Sequence, residues 1–433
     1  GDISCYGNKI IKTPNIDRLA SQGIRFTDYY SPSPVCSPSR VGLLTGRTPN
    51  RAGIYDWIPS GTQFHLEEKE FTIPKMLKRV GYATCMSGKW HCNGKFNKKS
   101  QPQPGDFGFD HWFATQNNAA PSHRNPKNFV RNGEGVGELE GFSCRIVAEE
   151  ANRWIENHVI ENPDQPFFTF IAFHEPHEPI SSPESMISNY PNAQKKGEAL
   201  YYANVENMDF AVGMIMDCLN RNKVAENTLV IFTSDNGPET LNRYGGAWRS
   251  HGSPGDLRGM KLHTHEAGIR VPGVMRWPLQ IKAGQVSDEP VNSLDLMPTF
   301  ANLAAGEIPI DIQLDGTDIV NAFGKDEVIR KRPMFWCYYS ALNKSKVALR
   351  DGNWKLLASL KSKNDKYLKI RSLNKSNYDL IKTARLVDFE LYNIGNDNDE
   401  SLNLVDKNHD EFKRLSEAMR MMFDEVLKDS KIW

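Results

Sequence analysis

The chain of 433 residues carries 53 basic and 53 acidic side chains, for a formal net charge of zero. That length buries a large core and fits one big domain with a smaller one. The charge balance excludes a general pull toward nucleic acid or membrane, so an anionic substrate must be drawn by local clusters. No apolar stretch approaches a membrane span. Seven cysteines (Cys5, Cys36, Cys85, Cys92, Cys144, Cys218 and Cys337) make an odd count without zinc-site spacing, so at least one is unpaired or otherwise employed. No signal peptide is present, and Gly1 has the look of a cut end.

Thr13-Pro14 followed by Ile16, Leu19 and Ala20 predicts a helix with proline in its first turn, ended by Gly23. Residues 24–30 alternate as a strand, 73–79 form a short helix closed by Gly81, and 82–87 a strand. Residues 144–159 carry Val147, Ala151, Trp154 and Ile155 at helical spacing, and 167–173 are a near-continuous apolar run of the kind buried on both faces of a parallel sheet. A helix over 198–222, a strand over 228–233 and a helix over 293–305 follow. Alternating strands and helices predict an α/β fold with a large, mostly parallel sheet. After Gly324 the texture changes: residues 335–339, 347–349 and 354–357 predict antiparallel strands, and 407–428 an amphipathic helix. This divides the chain into a large α/β domain, 1–324, and a smaller α+β subdomain, 325–433. Between Lys344 and Arg385 stand twelve Lys or Arg against three Asp and no Glu, either a solvated insertion or a wall for a polyanionic substrate.

The chemistry concentrates in Pro34-Val-Cys-Ser-Pro-Ser-Arg-Val-Gly-Leu-Leu-Thr-Gly-Arg47. Pro38 suits the first turn of a helix and Gly46 its C-cap, which puts Cys36 at a helix N-terminus, where free N–H groups favour an anion. Arg40, one turn on, reaches back toward residue 36. Ser87-Gly-Lys-Trp-His91 ends one strand; His174-Glu-Pro-His177 and Ser234-Asp-Asn-Gly237 follow the carboxyl ends of two others, where open α/β sheets place ligands. Asp235 and Asn236 side by side offer hard oxygen donors for a dication. Arg258-Gly-Met-Lys261 and Glu266-Ala-Gly-Ile-Arg-Val-Pro272 complete the series.

In this order the segments resemble the signature of the type I, formylglycine-dependent sulfatases, over nearly the whole chain. The resemblance implies an alkaline-phosphatase-like α/β sandwich and a sulfuric ester hydrolase acting on a sulfated carbohydrate. It implies that a formylglycine-generating maturation enzyme converts Cys36 to an aldehyde, hydrated at rest. One geminal hydroxyl would attack sulfur and the other would later collapse to eject sulfate. By the same match Lys89 and Lys261 bind sulfate, His91 hydrogen-bonds the formylglycine hydroxyl and His177 protonates the leaving alkoxide. His174 either lines the substrate pocket or is structural. Asp235, Asn236 and residue 36 would be ligands of Ca²⁺, in preference to Mg²⁺. Family members carry an additional first strand ending in two aspartates; here the resemblance begins at Gly1-Asp-Ile-Ser-Cys-Tyr-Gly7, so that strand and its metal-binding pair are expected upstream. Trp57, Trp112 and Trp248 are candidates to stack on sugars. A secreted, periplasmic or lysosomal-type compartment fits the family. Two alternatives stay open: a phosphatase or phosphonate hydrolase of the same superfamily, and a non-catalytic glycan-binding relative.

Overall fold

The computed structural model describes residues 1–324 and 327–433. The expected boundary between 324 and 325 falls against Lys325 and Asp326, outside the described residues. No helix is long and apolar enough to cross a membrane among the described residues.

Two five-stranded sheets carry the α/β part. In one, β1 (Ile24–Tyr30) is flanked by the antiparallel β6 (Arg270–Arg276), which pairs onward with antiparallel β5 (Val230–Thr233); the short strands Gln285–Ser287 and Val291–Asn292 run parallel to β1 on its other side. In the other, β2 (Ala83–Lys89) lies between parallel β3 (His111–Thr115) and β4 (Phe167–Ala172), and a small hairpin extends the β3 edge. The sheets are therefore mixed rather than uniformly parallel. A third sheet is wholly antiparallel, β7 (Met334–Cys337), β8 (Val347–Asp351), β9 (Trp354–Lys361) and β10 (Arg385–Asn393). The C-terminal helix His409–Asp429 covers it with Leu415, Met419, Phe423 and Val426. Trp112, a candidate to stack on sugars, belongs to β3 and is buried, which leaves it no exposed face for a sugar.

Strands β4 and β5 are edges of their sheets among the described residues. Their apolar sequences FFTFIA and VIFT suit interior strands, yet their residues are only half-buried save Ala172. Between them runs a cavity of about 460 Å³ lined by Phe168, Phe170, Ile231 and Phe232. It opens at one end onto Cys36, Lys89 and Asp235.

Candidate functional site

Each candidate side chain is delivered by the end of a regular element. Helix α1 (Cys36–Thr45) begins at Cys36, with Val35 extended before it and Gly46 left-handed after it, at φ 67°. Cys36 is buried at 4 % exposure, and Ser37 beside it accepts a hydrogen bond from the Ile58 backbone N–H at 3.0 Å. The β2–β3 pairing continues past the strand ends, Trp90 N–H to the Thr115 carbonyl and His91 N–H to the Gln116 carbonyl, so Lys89 and His91 are fixed by backbone. Gly88 makes this course possible: its φ is +111°, and a Cβ there would stand 2.0 Å from the Ala172 carbonyl oxygen. Gly237 has the same kind of necessity, since a Cβ would meet the Ala267 carbonyl oxygen at 1.7 Å. Lys261 is held in turn by its own N–H to the Pro238 carbonyl, and Leu262 N–H reaches the Pro34 carbonyl before Cys36.

No hydrogen bond joins Arg40 to residue 36. Its guanidinium contacts Asp235 Oδ2 through Nε at 3.0 Å and Nη2 at 2.8 Å, and donates to the Lys89 carbonyl at 2.6 Å. Burial alone would raise the Asp235 carboxyl, but Arg40, Lys89 and Lys261 together hold it below its ordinary value. Both lysines are almost fully buried. Burial lowers Lys89 to about 8, against the pull of charge at Cys36 and with further lowering by Arg40. At Lys261 burial also acts downward, but charge at Cys36, Glu239 and Asp235 outweighs it and the group ends raised. Residue 36 thus faces two ammoniums, and the Arg40 guanidinium beside Lys89 is partly neutralised by Asp235.

The three candidate histidines sit in different settings. His91 has a left-handed backbone, φ 56°, of the strained kind that clusters at functional sites. Its Nε2 faces the Ile58 carbonyl at 3.1 Å, which assigns the proton to Nε2 and leaves the buried Nδ1 an unpartnered acceptor. His177 Nδ1 likewise donates to the Glu178 carbonyl at 2.8 Å. Burial first, then the positive charge of Lys89 with Arg40 at His91 and Lys261 at His177, drives both rings well below their ordinary value. His177 is therefore neutral in the empty site, not near half-protonation. His174 lies deeper, its Nε2 on Thr115 Oγ1 at 2.8 Å and its ring edge-on to Phe129. Thr115 gives its own proton to the Asn117 carbonyl, so His174 is the donor in that bond, a structural arrangement, although its Nδ1 is unpartnered.

Asn236 has a buried side-chain oxygen without a partner, the condition of an atom awaiting a cation. Asp235, however, is already paired with Arg40, and no group of three or more His, Cys, Asp or Glu able to hold a metal ion occurs among the described residues. The residues present supply part of a Ca²⁺ ligand set and do not complete one. Asp2 is spent on the Tyr201 hydroxyl and the Ser253 N–H.

Glu239 was not legible as a site residue. It stands 3.5 Å from Lys261 Nζ, takes Arg243 in a two-point clamp at 2.6 and 2.8 Å, and accepts the Thr240 N–H. Its place three residues after Asn236, on the same loop, was the available signal. Trp248 is engaged by Lys196 and Arg249, whereas Trp57 is 42 % exposed.

An α/β sheet edge that presents a helix-borne residue 36 to two buried ammoniums and a carboxylate–guanidinium pair defines an anion-ester hydrolase of alkaline-phosphatase-like architecture. The sulfatase family model matches residues 1–307, and the model described as N-sulphoglucosamine sulphohydrolase, C-terminal, matches 260–429. Human arylsulfatase A is 34% identical over 379 residues, 82% of this chain and 71% of that protein. Pig N-acetylgalactosamine-6-sulfatase is 32% identical over 359 residues, 78% of this chain and 66% of its own. The chain spans about two thirds of the length of such relatives. The crystal structure of Ps i-CgsB in complex with k-i-k-neocarrahexaose superposes with a TM-score of 0.81 at 28% identity, over 99% of this chain and 90% of that one. The chain belongs to the sulfatase family, as a sulfuric ester hydrolase.

Proposed function

We propose that this sulfatase removes sulfate from a sulfated carbohydrate through residue 36. The observation that carries the reading is the convergence of Cys36, at the start of a helix, with buried Lys89 and Lys261. As formylglycine, residue 36 would supply the hydroxyl that attacks sulfur and the second hydroxyl that releases sulfate. The chain's own side chains do the rest. Lys89 and Lys261 hold the sulfate oxygens and counter the charge that builds on them. The bare Nδ1 of His91 accepts a proton from a hydroxyl at residue 36. His177 is left with Nε2 free, and a bound sulfate, by offsetting Lys261 and Lys89, lifts its affinity for the proton that the leaving alkoxide takes. Arg40 orients Asp235, which with Asn236 belongs to a Ca²⁺ site needing further carboxylates at the mouth of the β4–β5 cavity. A domain division near 324 and a secreted, periplasmic or lysosomal-type compartment accompany this reading. The carbohydrate class is supported by the relatives' names and by the glycan complex.

The test is production with a formylglycine-generating enzyme, followed by mass spectrometry of the peptide holding residue 36 and a screen of sulfated glycans beside phosphate esters. An aldehyde in place of the thiol, with sulfate preferred over phosphate, is expected. Full activity with unmodified Cys36 sinks the mechanism, and preference for phosphate favours the phosphatase alternative.

A further inference from the structure

The segment that carries His177, His174-Glu-Pro-His177-Glu-Pro179, leaves β4 with two prolines that have no N–H to give. Two buried carboxylates, Glu175 and Glu178, anchor it on either side of the histidine. Glu175 Oε1 accepts the Ser143 hydroxyl and, at 3.0 Å, the Cys144 N–H. It therefore caps the first turn of the helix Ser143–Glu161, where the helix dipole favours a negative charge. Glu178 is held from another part of the chain. Arg249 takes its carboxylate at two points, Nε on Oε1 at 3.2 Å and Nη2 on Oε2, and donates Nη1 to the Ile180 carbonyl at 2.9 Å. The Ile180 N–H meets Glu178 Oε2 at 3.0 Å.

The residue that Arg249 grips is the one that orients His177. The Glu178 carbonyl accepts the His177 Nδ1 proton at 2.8 Å, while the His177 N–H donates to the His174 carbonyl at 2.9 Å. The bond to Glu178 sets the tautomer of the neutral ring, with its proton on Nδ1, and turns Nε2 away from that carbonyl. Arg249 is itself restrained. It ends the 3-10 turn Ala247–Arg249, and its guanidinium lies over the Trp248 ring, 5.2 Å from the centroid. A two-point pair between a guanidinium and a carboxylate has a direction that a point charge lacks, and here the Glu178 side chain is only 6 % exposed. Lys261 has anchors of its own in the Pro238 carbonyl and Glu239, so the grip on sulfate does not run through Arg249.

We propose that Arg249 is a positioning residue for His177: by holding Glu178 it fixes the carbonyl that sets the tautomer and aim of the imidazole. The inference rests on the reading of His177 as the acid, and it makes Arg249 serve departure of the alcohol rather than capture of sulfate.

The experiment compares wild type, Arg249→Ala, Arg249→Lys and Glu178→Gln, each with and without His177→Ala, on aryl sulfates of graded leaving-group pKa and on a sulfated sugar. Arg249→Ala is expected to lower kcat on the sugar ester at least about tenfold more than on the best aryl leaving group, with KM little changed. In the His177→Ala background that loss should vanish, because the two changes remove one function. Arg249→Lys, which keeps the charge without the fork, should recover part of it. The two milder variants carry the same comparison should Arg249→Ala fail to fold. A second readout needs no turnover: the ring-nitrogen NMR shifts of isotope-labelled histidine, with the His177 signals identified by their loss in His177→Ala. Wild type should show the proton on Nδ1, and Arg249→Ala and Glu178→Gln a shift toward the other tautomer. If His177→Ala depends on the leaving group and Arg249→Ala does not, if the two losses add, or if the tautomer is unchanged, the proposal fails. A tautomer shifted by Arg249→Ala in a chain that turns over no ester, or whose His177→Ala variant shows no leaving-group dependence, counts against the acid reading and leaves the hold of Arg249 on the ring supported.

Discussion

At Lys89 burial and charge pull in opposite directions, and burial prevails, leaving the amine at about 8. An ammonium that grips sulfate must be protonated, so kcat/KM, which reports the free enzyme, is expected to fall as pH rises through about 8. In the complex the sulfate charge stabilises the ammonium, so the alkaline limb of kcat should lie higher. Coincident limbs in the two profiles would remove Lys89 from sulfate binding. His177 makes a second prediction. A proton delivered by His177 matters most when the departing alkoxide is basic. His177→Ala should cost poor leaving groups on the order of a hundredfold and good aryl leaving groups little. Equal loss across a series of leaving-group pKa values would contradict an acid role. Cys36, Lys89, His91, His177, Asp235 and Lys261 were singled out in the sequence because each sits in a contiguous motif. Glu239 was not, since its reach to Lys261 is created by loops that only the fold brings together, and Arg243 enters only through its clamp on Glu239.

Elements with one clean signal were read closely, and those with conflicting signals were not. The strand over 24–30 and the helix over 73–79 coincide with what alternation and capping indicated. Strand β6 contains Pro272 and Gly273, both of which argue against a strand, and it was missed. The proline sits where the β1–β6 register shifts, and the glycine lies under Tyr29, whose ring atoms a Cβ would approach to 2.3 Å. The helix expected from Ser293 opens as a 3-10 turn, with Asn292 and Asp295 forming the capping box, before Leu296–Leu303. Strand β9 brings Lys355 between two carboxylates, Glu266 and Glu400, each at 2.8 Å and all buried. Burial, and then Glu266, push Glu400 up to about 7. A carboxyl raised by folding contributes stability below its unfolded value that is lost as pH rises through the folded one. Glu400→Gln imitates the protonated form. Its unfolding free energy relative to wild type, from denaturant titration, should therefore improve between pH 5 and pH 8 by an amount on the order of 2–3 kcal/mol. A difference independent of pH would place the shared proton elsewhere. Lys355→Ala, which strands both carboxylates, should cost roughly 3–5 kcal/mol at neutral pH.

The whole molecule was legible as strands alternating with helices and a separate antiparallel sheet, because those periods are local. How the two α/β sheets stand to each other was not, since that depends on what occupies the space between β4 and β5. Each edge leaves backbone groups without strand partners beside half-buried phenylalanines, an arrangement that exposes apolar surface and unsatisfied N–H groups together. A strand of about six residues has the length that would pair with two such edges. Its far end would arrive where His174 and Asp235 leave β4 and β5, beside the unpartnered Asn236 oxygen. Two acidic residues at that end would offset Arg40, Lys89 and Lys261, which otherwise leave the cluster net positive and unfavourable to a dication. The expected result of supplying an apolar segment ending in Asp-Asp ahead of residue 1 is a higher melting temperature, loss of binding to a hydrophobic dye and calcium that survives dialysis. The same segment ending in Asn-Asn should restore the first two and not the third, which separates filling the slot from completing the metal site. If the 433-residue chain already binds no dye, melts cooperatively at the same temperature and retains calcium, then the gap between β4 and β5 closes by another route and the proposed strand has no place to enter.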